Sequence, residues 1–279
     1  MKTIKGIWRF SRVICYTFVC LFQAYTRFKH VDRKEKGRML RYYPTQVLKL
    51  AGVRCSYEGH VPELLHECGL TDTPPACLVL SNHVSWLDIF SLDSQLPSRF
   101  IAKAEIAKWP IFGLIAQQIG TLFINRSSKR AILRINDDIR GALCNCEAVT
   151  IFAEGTTTFG NELLPIKANF IAPACEIGAT VQPVILSYKN KGKPTKQAAF
   201  SGDVTLFGSL WNVVTMEDAE VVVHFLEPIT NTKDLTRHEV AKICEERMRA
   251  KLQEIWGDEY IANDANAADL AGTEMNLKT

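Results

Sequence analysis

The chain of 279 residues is 47% hydrophobic and 23% charged, with a formal net charge of +3. This composition excludes a disordered chain, a fibre and a polytopic membrane protein, and the small net charge gives no indication of nucleic acid binding. The nine cysteines are too few for a disulfide scaffold and lack zinc-site spacing, so we interpret them as reduced thiols in a protein facing the cytosol.

The positive charge is concentrated at the N terminus, where residues 1–54 hold thirteen Lys and Arg but only two acidic residues. Residues 13–26 carry no charge, and a helix over them would span about 21 Å, short of the ~30 Å hydrocarbon core. Aromatic and basic residues on both sides favour a helix in the membrane interface. Residues 1–50 are therefore predicted to be a membrane-associating segment on the cytoplasmic face, either monotopic or spanning once.

Two other interpretations of this segment were weighed. A signal peptide would need a small-x-small cleavage site, but the residues after position 22 are bulky and basic. A buried core helix is the second alternative, and the eight basic residues at 27–41 favour a lipid headgroup surface over it.

Beyond residue 50, short apolar runs alternate with helical patterns. Strands are predicted at 53–57, 77–80, 100–102, 122–124, 149–152, 181–186 and 221–226. Helices are predicted at 86–95, 106–119, 129–144, 170–177 and 236–255. The alternation indicates an α/β fold with a layered, mostly buried sheet and flanking helices over residues 51–256, followed by a polar tail at 257–279.

A histidine and an aspartate lie where the second predicted strand gives way to a helix, and the carboxyl ends of strands are where α/β folds place their chemistry. On one continuous helix His83 and Asp88 would diverge by about 140°. With His83 in the loop and Asp88 in the first helical turn, the carboxylate can reach the imidazole. Asp88 would then fix the ring tautomer and leave the other nitrogen as a general base.

Residues 82–88, Asn-His-Val-Ser-Trp-Leu-Asp, resemble the NH-x-x-x-x-D motif of the glycerolipid acyltransferases, the family that includes the 1-acyl-glycerol-3-phosphate acyltransferases. Further blocks similar to the family's follow in its order at 100–126, 152–157 and 181–184. The resemblance covers roughly residues 75–190. It implies transfer of a fatty acyl group from an acyl thioester to the free sn-2 hydroxyl of a 1-acyl-glycerol-3-phosphate-like lysolipid.

By this resemblance, His83 takes the proton from the lysolipid hydroxyl, Asp88 orients it, and no acyl-enzyme forms, which agrees with the lack of a G-x-S-x-G turn. The implied acceptor and headgroup-binding residues are Lys103, Arg126, Glu154, Gly155, Thr156 and Thr157. Glu154 could instead brace its loop. The expected partners are the lysolipid, the bilayer and the donor, which is acyl-CoA or acyl-carrier protein; a basic face at 27–41 would suit the acidic carrier. No cofactor, metal or nucleic acid is expected.

The third block departs from the family's usual Phe-Pro-Glu-Gly-Thr-Arg, since Ala153 and Thr157 replace the Pro and the Arg. The missing Arg weakens the case for a bare phosphomonoester acceptor, although Lys129, Arg130 or Lys167 could compensate. The Glu-Gly-Thr-Thr-Thr run is similar to members that acylate lyso-ornithine lipids or lysophosphatidylcholine. The acceptor headgroup therefore stays open at this point.

Other classes of function were considered beside the acyltransferase. A lysophospholipase could use Ser81 or Ser85 as nucleophile, but neither lies on a strained elbow. Cys77 is a further possible nucleophile, although it starts an apolar strand and suits the core. A lipid-binding module would need the basic N terminus but neither His83 nor Asp88.

Overall fold

The computed structural model describes residues 2–59, 76–125 and 129–262. The α-helices are α1 (Lys2–Thr26), α2 (Arg33–Ala51), α3 (Leu87–Gln95), α4 (Phe112–Gln118), α5 (Lys129–Cys144), α6 (Ala172–Ile177), α7 (Leu206–Val214) and α8 (Arg237–Trp256). The strands are β1 (Val53–Gly59), β2 (Cys77–Ser81), β3 (Arg99–Lys103), β4 (Leu122–Ile124), β5 (Ala148–Phe152), β6 (Thr180–Asn190), β7 (Lys193–Pro194) and β8 (Ala219–Phe225). Short 3₁₀ turns lie at Ala104–Lys108, Ala168–Phe170, Thr232–Asp234 and Gly257–Glu259.

These strands form one eight-stranded mixed sheet in the order β1-β8-β6-β2-β5-β3-β4, with β7 paired to β6. β2 lies between β5 and β6 and is parallel to both. β8 and β7 are both antiparallel to β6, so these two strands and β1, the parallel neighbour of β8, run against the other five. The carboxyl ends of β2, β3, β5 and β6 therefore share one edge, where the loops that follow β2 and β5 meet.

Helices cover both faces of the sheet, and residues along each strand alternate between the two layers. Val79 packs on one side with apolar residues of α2, α3 and α7. Leu80 packs on the other side with α5, α6 and α8. All five residues of β2 are buried. The layered α/β fold with a mostly buried sheet is confirmed.

Each predicted strand corresponds to an observed strand, whereas β7 was not predicted and three helical stretches differ from the prediction. The helix predicted at 106–119 is wrong, because Pro110 cannot donate a backbone hydrogen bond and Ile111 has φ 66°. The chain instead forms the 3₁₀ turn Ala104–Lys108 and then α4. Helices α2 and α7 were not predicted. The tail at 257–279 is described only to residue 262, where Ile261 N–H donates to Asn161 O at 2.8 Å.

The N-terminal segment forms two helices that pack against each other and against the sheet layers. Val13 of α1 and Val47 and Leu48 of α2 belong to the same hydrophobic core as β2. The alternative of a packed helix therefore holds for one face of α1. No helix in the described part of the chain is both long and apolar enough to cross a membrane.

A buried arginine fastens α1 to the rest of the fold. Arg9 donates from Nη1 to the carbonyl oxygens of Val214 (3.1 Å) and Met216 (2.9 Å), at the C-terminal end of α7. Its guanidinium lies against Gly52, the left-handed cap of α2, where an added Cβ would be 2.2 Å from Arg9 Cζ. Only glycine at position 52 leaves room for this contact.

Candidate active site

The loop that leaves β2 is held by backbone and side-chain hydrogen bonds from three directions. The Asn82 amide donates to Leu186 O at 3.1 Å and accepts from Leu186 N–H at 2.8 Å, which ties the loop to β6. The carbonyl oxygen of His83 accepts from Thr158 N–H at 2.8 Å. The carbonyl oxygen of Val84 accepts from Phe200 N–H, also at 2.8 Å. These contacts fix the backbone of His83, and none of them uses its imidazole ring.

The structure brings His83 and Asp88 together. Nδ1 of His83 lies 2.8 Å from Oδ2 of Asp88, and the same oxygen accepts the backbone N–H groups of Val84 (2.7 Å) and Ser85 (2.9 Å). Asp88 is fully buried at the first turn of α3, where its charge also meets the positive end of the helix dipole. Because Asp88 Oδ2 is the acceptor of this hydrogen bond, Nδ1 carries the ring proton and Nε2 keeps the free lone pair.

An aromatic ring from β5 packs against one face of the His83 imidazole. Phe152 stacks on His83 with ring centroids 3.9 Å apart and an interplanar angle of 11°. The His83 side chain keeps 22% of its surface exposed, and it lines a cavity. Since Nδ1 faces the buried Asp88, the exposed edge of the ring is the one that carries Nε2.

Glu154 lies beneath the same loop. Its Oε1 accepts from His83 N–H at 2.9 Å and its Oε2 from Leu164 N–H at 3.0 Å, with 4% of the residue exposed. Burial raises the pKa of Glu154 to about 7, and the two backbone N–H donors work against that rise. Both oxygens are thus engaged with backbone, which favours the bracing role over contact with an acceptor.

A cavity of about 760 Å³ extends from His83 to the N-terminal helices. Its walls are mostly apolar and include Cys20 and Ala24 of α1, Met39 and Val47 of α2, and Phe90 of α3. Such a volume and lining suit an alkyl chain.

The remaining predicted site residues divide between this cavity and other places. Lys103, Gly155, Thr156 and Thr157 all line the cavity. The N–H of Gly155 donates to Phe152 O at 3.0 Å in a tight turn, and Thr157 Oγ1 donates to Phe200 O at 2.5 Å. Arg126 lies outside the described residues. Within the described ranges, no group of three or more His, Cys, Asp or Glu could hold a metal ion.

Two functional neighbours of the pair were missed by sequence reasoning. Tyr188 of β6 donates its hydroxyl to Asp88 Oδ1 at 2.5 Å, and Phe152 supplies the stacked ring. Phe152 was noted only as the start of the third block. Tyr188 lies four residues beyond the fourth block at Val184, on the same face of the strand, and this spacing is the one signal that could have found it.

The chain is similar to known acyltransferases in sequence and in fold. The profile described as Acyltransferase matches residues 62–187. A 1-acyl-sn-glycerol-3-phosphate acyltransferase of Neisseria gonorrhoeae is 38% identical over 196 residues, which cover 70% of this chain and 73% of the relative. A lyso-ornithine lipid O-acyltransferase of Pseudomonas aeruginosa is 39% identical over 175 residues, 63% of this chain and 67% of the relative.

A solved structure has the same fold at low sequence identity. It is the crystal structure of the 1-acyl-sn-glycerophosphate (LPA) acyltransferase PlsC from Thermotoga maritima, with a TM-score of 0.65 and 18% identity. The match covers 92% of this chain and 98% of the other. The two chains therefore share one overall fold.

Proposed function

This chain belongs to the acyltransferase family and is a lysolipid acyltransferase, and from that premise we propose that His83 is its general base. His83 Nε2 takes the proton from the free hydroxyl of the lysolipid while Nδ1–H stays bonded to Asp88. The hydroxyl oxygen attacks the thioester carbonyl of the fatty acyl donor, and the C–S bond then breaks. The leaving thiolate takes the proton that His83 Nε2 held, which releases the thiol and restores the neutral base. The hydrogen bond of 2.8 Å between His83 and Asp88 is the observation that carries this proposal.

Direct transfer is supported by the surroundings of the other possible nucleophiles. Ser81 and Ser85 are fully buried, and the Ser81 hydroxyl donates to Asn82 O at 3.0 Å instead of to His83. Burial raises the pKa of the Cys77 thiol to about 12, so it is not a thiolate at neutral pH. Without a bonded nucleophile, the site suits a base that activates the acceptor, with catalysis coming from alignment of two substrates.

The test is an assay of purified protein with labelled acyl thioester and lysolipid. We expect diacyl product from the wild type, loss of turnover by about 10³-fold or more in His83→Ala, and wild-type rates in a Ser81→Ala, Ser85→Ala double variant. Release of free fatty acid without acceptor would instead indicate a lysophospholipase. Lipid binding with no turnover in any variant would indicate a binding module.

We propose that the apolar cavity holds a substrate alkyl chain and that the acceptor headgroup lies at its polar end, near Lys103. Lys103 is exposed on the cavity wall, where a cation could meet an anionic headgroup. On this basis the acceptor is a 1-acyl-glycerol-3-phosphate-like lysolipid, as the name of the Neisseria relative suggests.

A lyso-ornithine lipid is the second candidate acceptor. Position 157 carries a threonine whose hydroxyl bonds to Phe200 O, so it offers a headgroup no positive charge, and the Pseudomonas relative bears the name of such an enzyme. A panel of lysolipids assayed with one donor separates the two. Thr157→Arg is expected to raise the kcat/KM ratio for phosphate over lyso-ornithine acceptors. Leu133→Arg is the control for added charge, because Leu133 is 66% exposed on α5 and does not line the cavity.

The donor is proposed to be acyl-CoA or acyl-carrier protein. In the basic segment 27–41, Arg33 donates to Asn145 O and Cys146 O, which anchors the turn between α1 and α2. Lys29 and Lys34 are exposed and suit an acidic carrier. Lys29→Gln with Lys34→Gln should raise the KM for the carrier-bound donor only; an unchanged KM would exclude this docking face.

We propose that an apolar surface formed by α1 and α7 rests on the bilayer. On α1 the side chains of Trp8 and Phe22 are 58% and 62% exposed, and on α7 those of Phe207 and Trp211 are 65% and 36% exposed. Phe10 joins the two helices, with its ring 6.4 Å from Phe207 and 6.2 Å from Trp211. Exposed aromatic rings beside basic residues are typical of interfacial binding.

Vesicle co-sedimentation tests this surface. Phe207→Ser with Trp211→Ser should weaken binding to anionic phospholipid vesicles about tenfold or more, because burial of each ring contributes roughly 1–2 kcal/mol. Leu133→Ser removes a residue that is 66% exposed on α5 and is the matched control. Equal binding of both variants would exclude α7 from the membrane contact.

A further inference from the structure

The carboxylate beside His83 has a fourth hydrogen-bond donor, which comes from a distant part of the chain. Asp88 Oδ2 receives His83 Nδ1 and two backbone N–H groups, whereas Oδ1 receives the hydroxyl of Tyr188 at 2.5 Å. We propose that Tyr188 is a positioning residue of the acyl transfer, which locks the Asp88 carboxylate against His83 Nδ1–H and so keeps Nε2 aimed at the acceptor. This inference rests on the proposed role of His83 as the base.

The position of the Tyr188 side chain is fixed by its surroundings. It lies in β6, where it pairs with Val221 of β8, and its carbonyl oxygen accepts from Thr195 N–H at 2.9 Å, so its backbone cannot shift independently. The side chain is 3% exposed, and Asp88 is fully buried. A distance of 2.5 Å is typical of a charge-assisted O–H···O⁻ bond. Without the hydroxyl, Asp88 Oδ1 would be left in the core without its tyrosine partner, and the carboxylate could rotate away from His83.

Tyr188 acts toward Asp88 as a hydrogen-bond donor. Burial and the neighbouring Asp88 charge raise the pKa of its hydroxyl well above the ordinary value, so it stays protonated over the working pH range. A donor that points at Asp88 stabilises the negative charge of the pair, and it therefore opposes protonation of His83. Loss of the hydroxyl should therefore favour the imidazolium form, which leaves a smaller fraction of His83 free to take a proton from the acceptor.

Other titratable groups near the pair affect its protonation as well. Glu154 contacts the His83 backbone from the loop after β5 and feels the Asp88 charge. Cys55 of β1 faces Tyr188, and burial raises the pKa of that thiol, so it adds no charge at neutral pH. Glu154 titrates near pH 7, so its contribution must be separated from that of Tyr188 by comparison at matched pH.

The experiment compares the pH profiles of kcat/KM for wild type, Tyr188→Phe and Ser187→Ala. Ser187 is the matched control because it also loses a buried hydroxyl from β6, one that bonds to His224 Nε2 at 2.9 Å on the opposite face of the sheet. For Tyr188→Phe we expect kcat about tenfold lower, as for other groups that orient a catalytic ligand, and an acidic limb shifted upward by about half a pH unit or more. Ser187→Ala should leave the acidic limb of the kcat/KM profile at the same pH as in the wild type.

A fluorinated tyrosine provides a second test that preserves packing. 3-Fluorotyrosine at position 188 is a stronger donor of nearly the same size, so the acidic limb should move downward, opposite to Tyr188→Phe. An unmoved limb in both variants, with any rate loss matched by Ser187→Ala, would overturn the inference. Activity that survives in His83→Ala would instead overturn the proposed function, so the two failures are distinguishable.

Discussion

Glu154 makes a quantitative prediction about stability, because it is a buried acid whose two oxygens both accept backbone N–H groups. Burial raises the pKa of Glu154 to about 7 from an ordinary 4.5. An acid with a raised pKa in the folded state stabilises the fold fully below its unfolded pKa and loses that contribution as pH rises through the folded value. The shift corresponds to a loss on the order of 3 kcal/mol between about pH 4.5 and pH 7.

Glu154→Gln separates this charge from the hydrogen bonds. The amide cannot ionise, but its nitrogen cannot accept, so one backbone N–H loses its partner at a cost of about 1–3 kcal/mol at every pH. We therefore expect the variant to have a lower free energy of unfolding than the wild type at pH 5. This difference in free energy should become smaller, or change sign, by pH 8. Urea unfolding followed by tryptophan fluorescence at several pH values measures both free energies.

A surface glutamate provides the comparison for this experiment. Glu246 on α8 is exposed and faces Lys242 at 4.0 Å, so Glu246→Gln should give a difference from wild type that does not vary with pH. If the curves of Glu154→Gln and wild type run parallel between pH 5 and pH 8, the buried charge is not what sets the stability of this loop.

Three further predictions follow from the packing. Arg9→Ala should lower the free energy of unfolding by about 2–4 kcal/mol, since two charge-assisted bonds are lost, and should speed hydrogen exchange in α1; Lys5→Ala, at an exposed position of the same helix, should do neither. Gly52→Ala should lower the free energy of unfolding by at least about 1 kcal/mol, because the φ of 76° at Gly52 and the contact with Arg9 both exclude a Cβ. A urea midpoint equal to that of the wild type would contradict this. Phe152→Ala should lower kcat about tenfold, since the ring that holds His83 is lost, with KM for the donor nearly unchanged as the check.

Much of the fold could be predicted because its strands are continuous apolar, β-branched runs. The predicted strand at 122–124 and the helix at 129–144 coincide with β4 and α5. The direction of β8 could not be predicted, since an antiparallel return and a parallel crossover leave the same local pattern. Helix α2 was not predicted because its sequence is rich in basic residues. Asp32 caps its N terminus and Gly52 ends it, but the basic residues between them also fit a surface that contacts lipid headgroups.

The candidate site was predictable to the extent that it lies in one stretch of sequence. His83 and Asp88 are five residues apart, and the loop geometry that joins them follows from a strand end and a helix start. Tyr188 reaches Asp88 only through the pairing of β6 with β2. Contacts of this kind depend on the order of the strands in the sheet, and a local sequence pattern does not determine that order. Glu154 illustrates a further limit, since a buried brace and a substrate ligand have the same sequence signature.

The central claim is that His83 and Asp88 act as one unit to remove a proton from the acceptor hydroxyl. Its most direct test is a double-mutant cycle on kcat with His83→Ala, Asp88→Asn and the double variant. Asp88→Asn presents an amide N–H to Nδ1 and stabilises the wrong tautomer, so each single change should lower kcat on the order of 10³-fold or more. The double variant should be no slower than His83→Ala. Losses that multiply, or a His83→Ala variant with substantial turnover, would contradict the account.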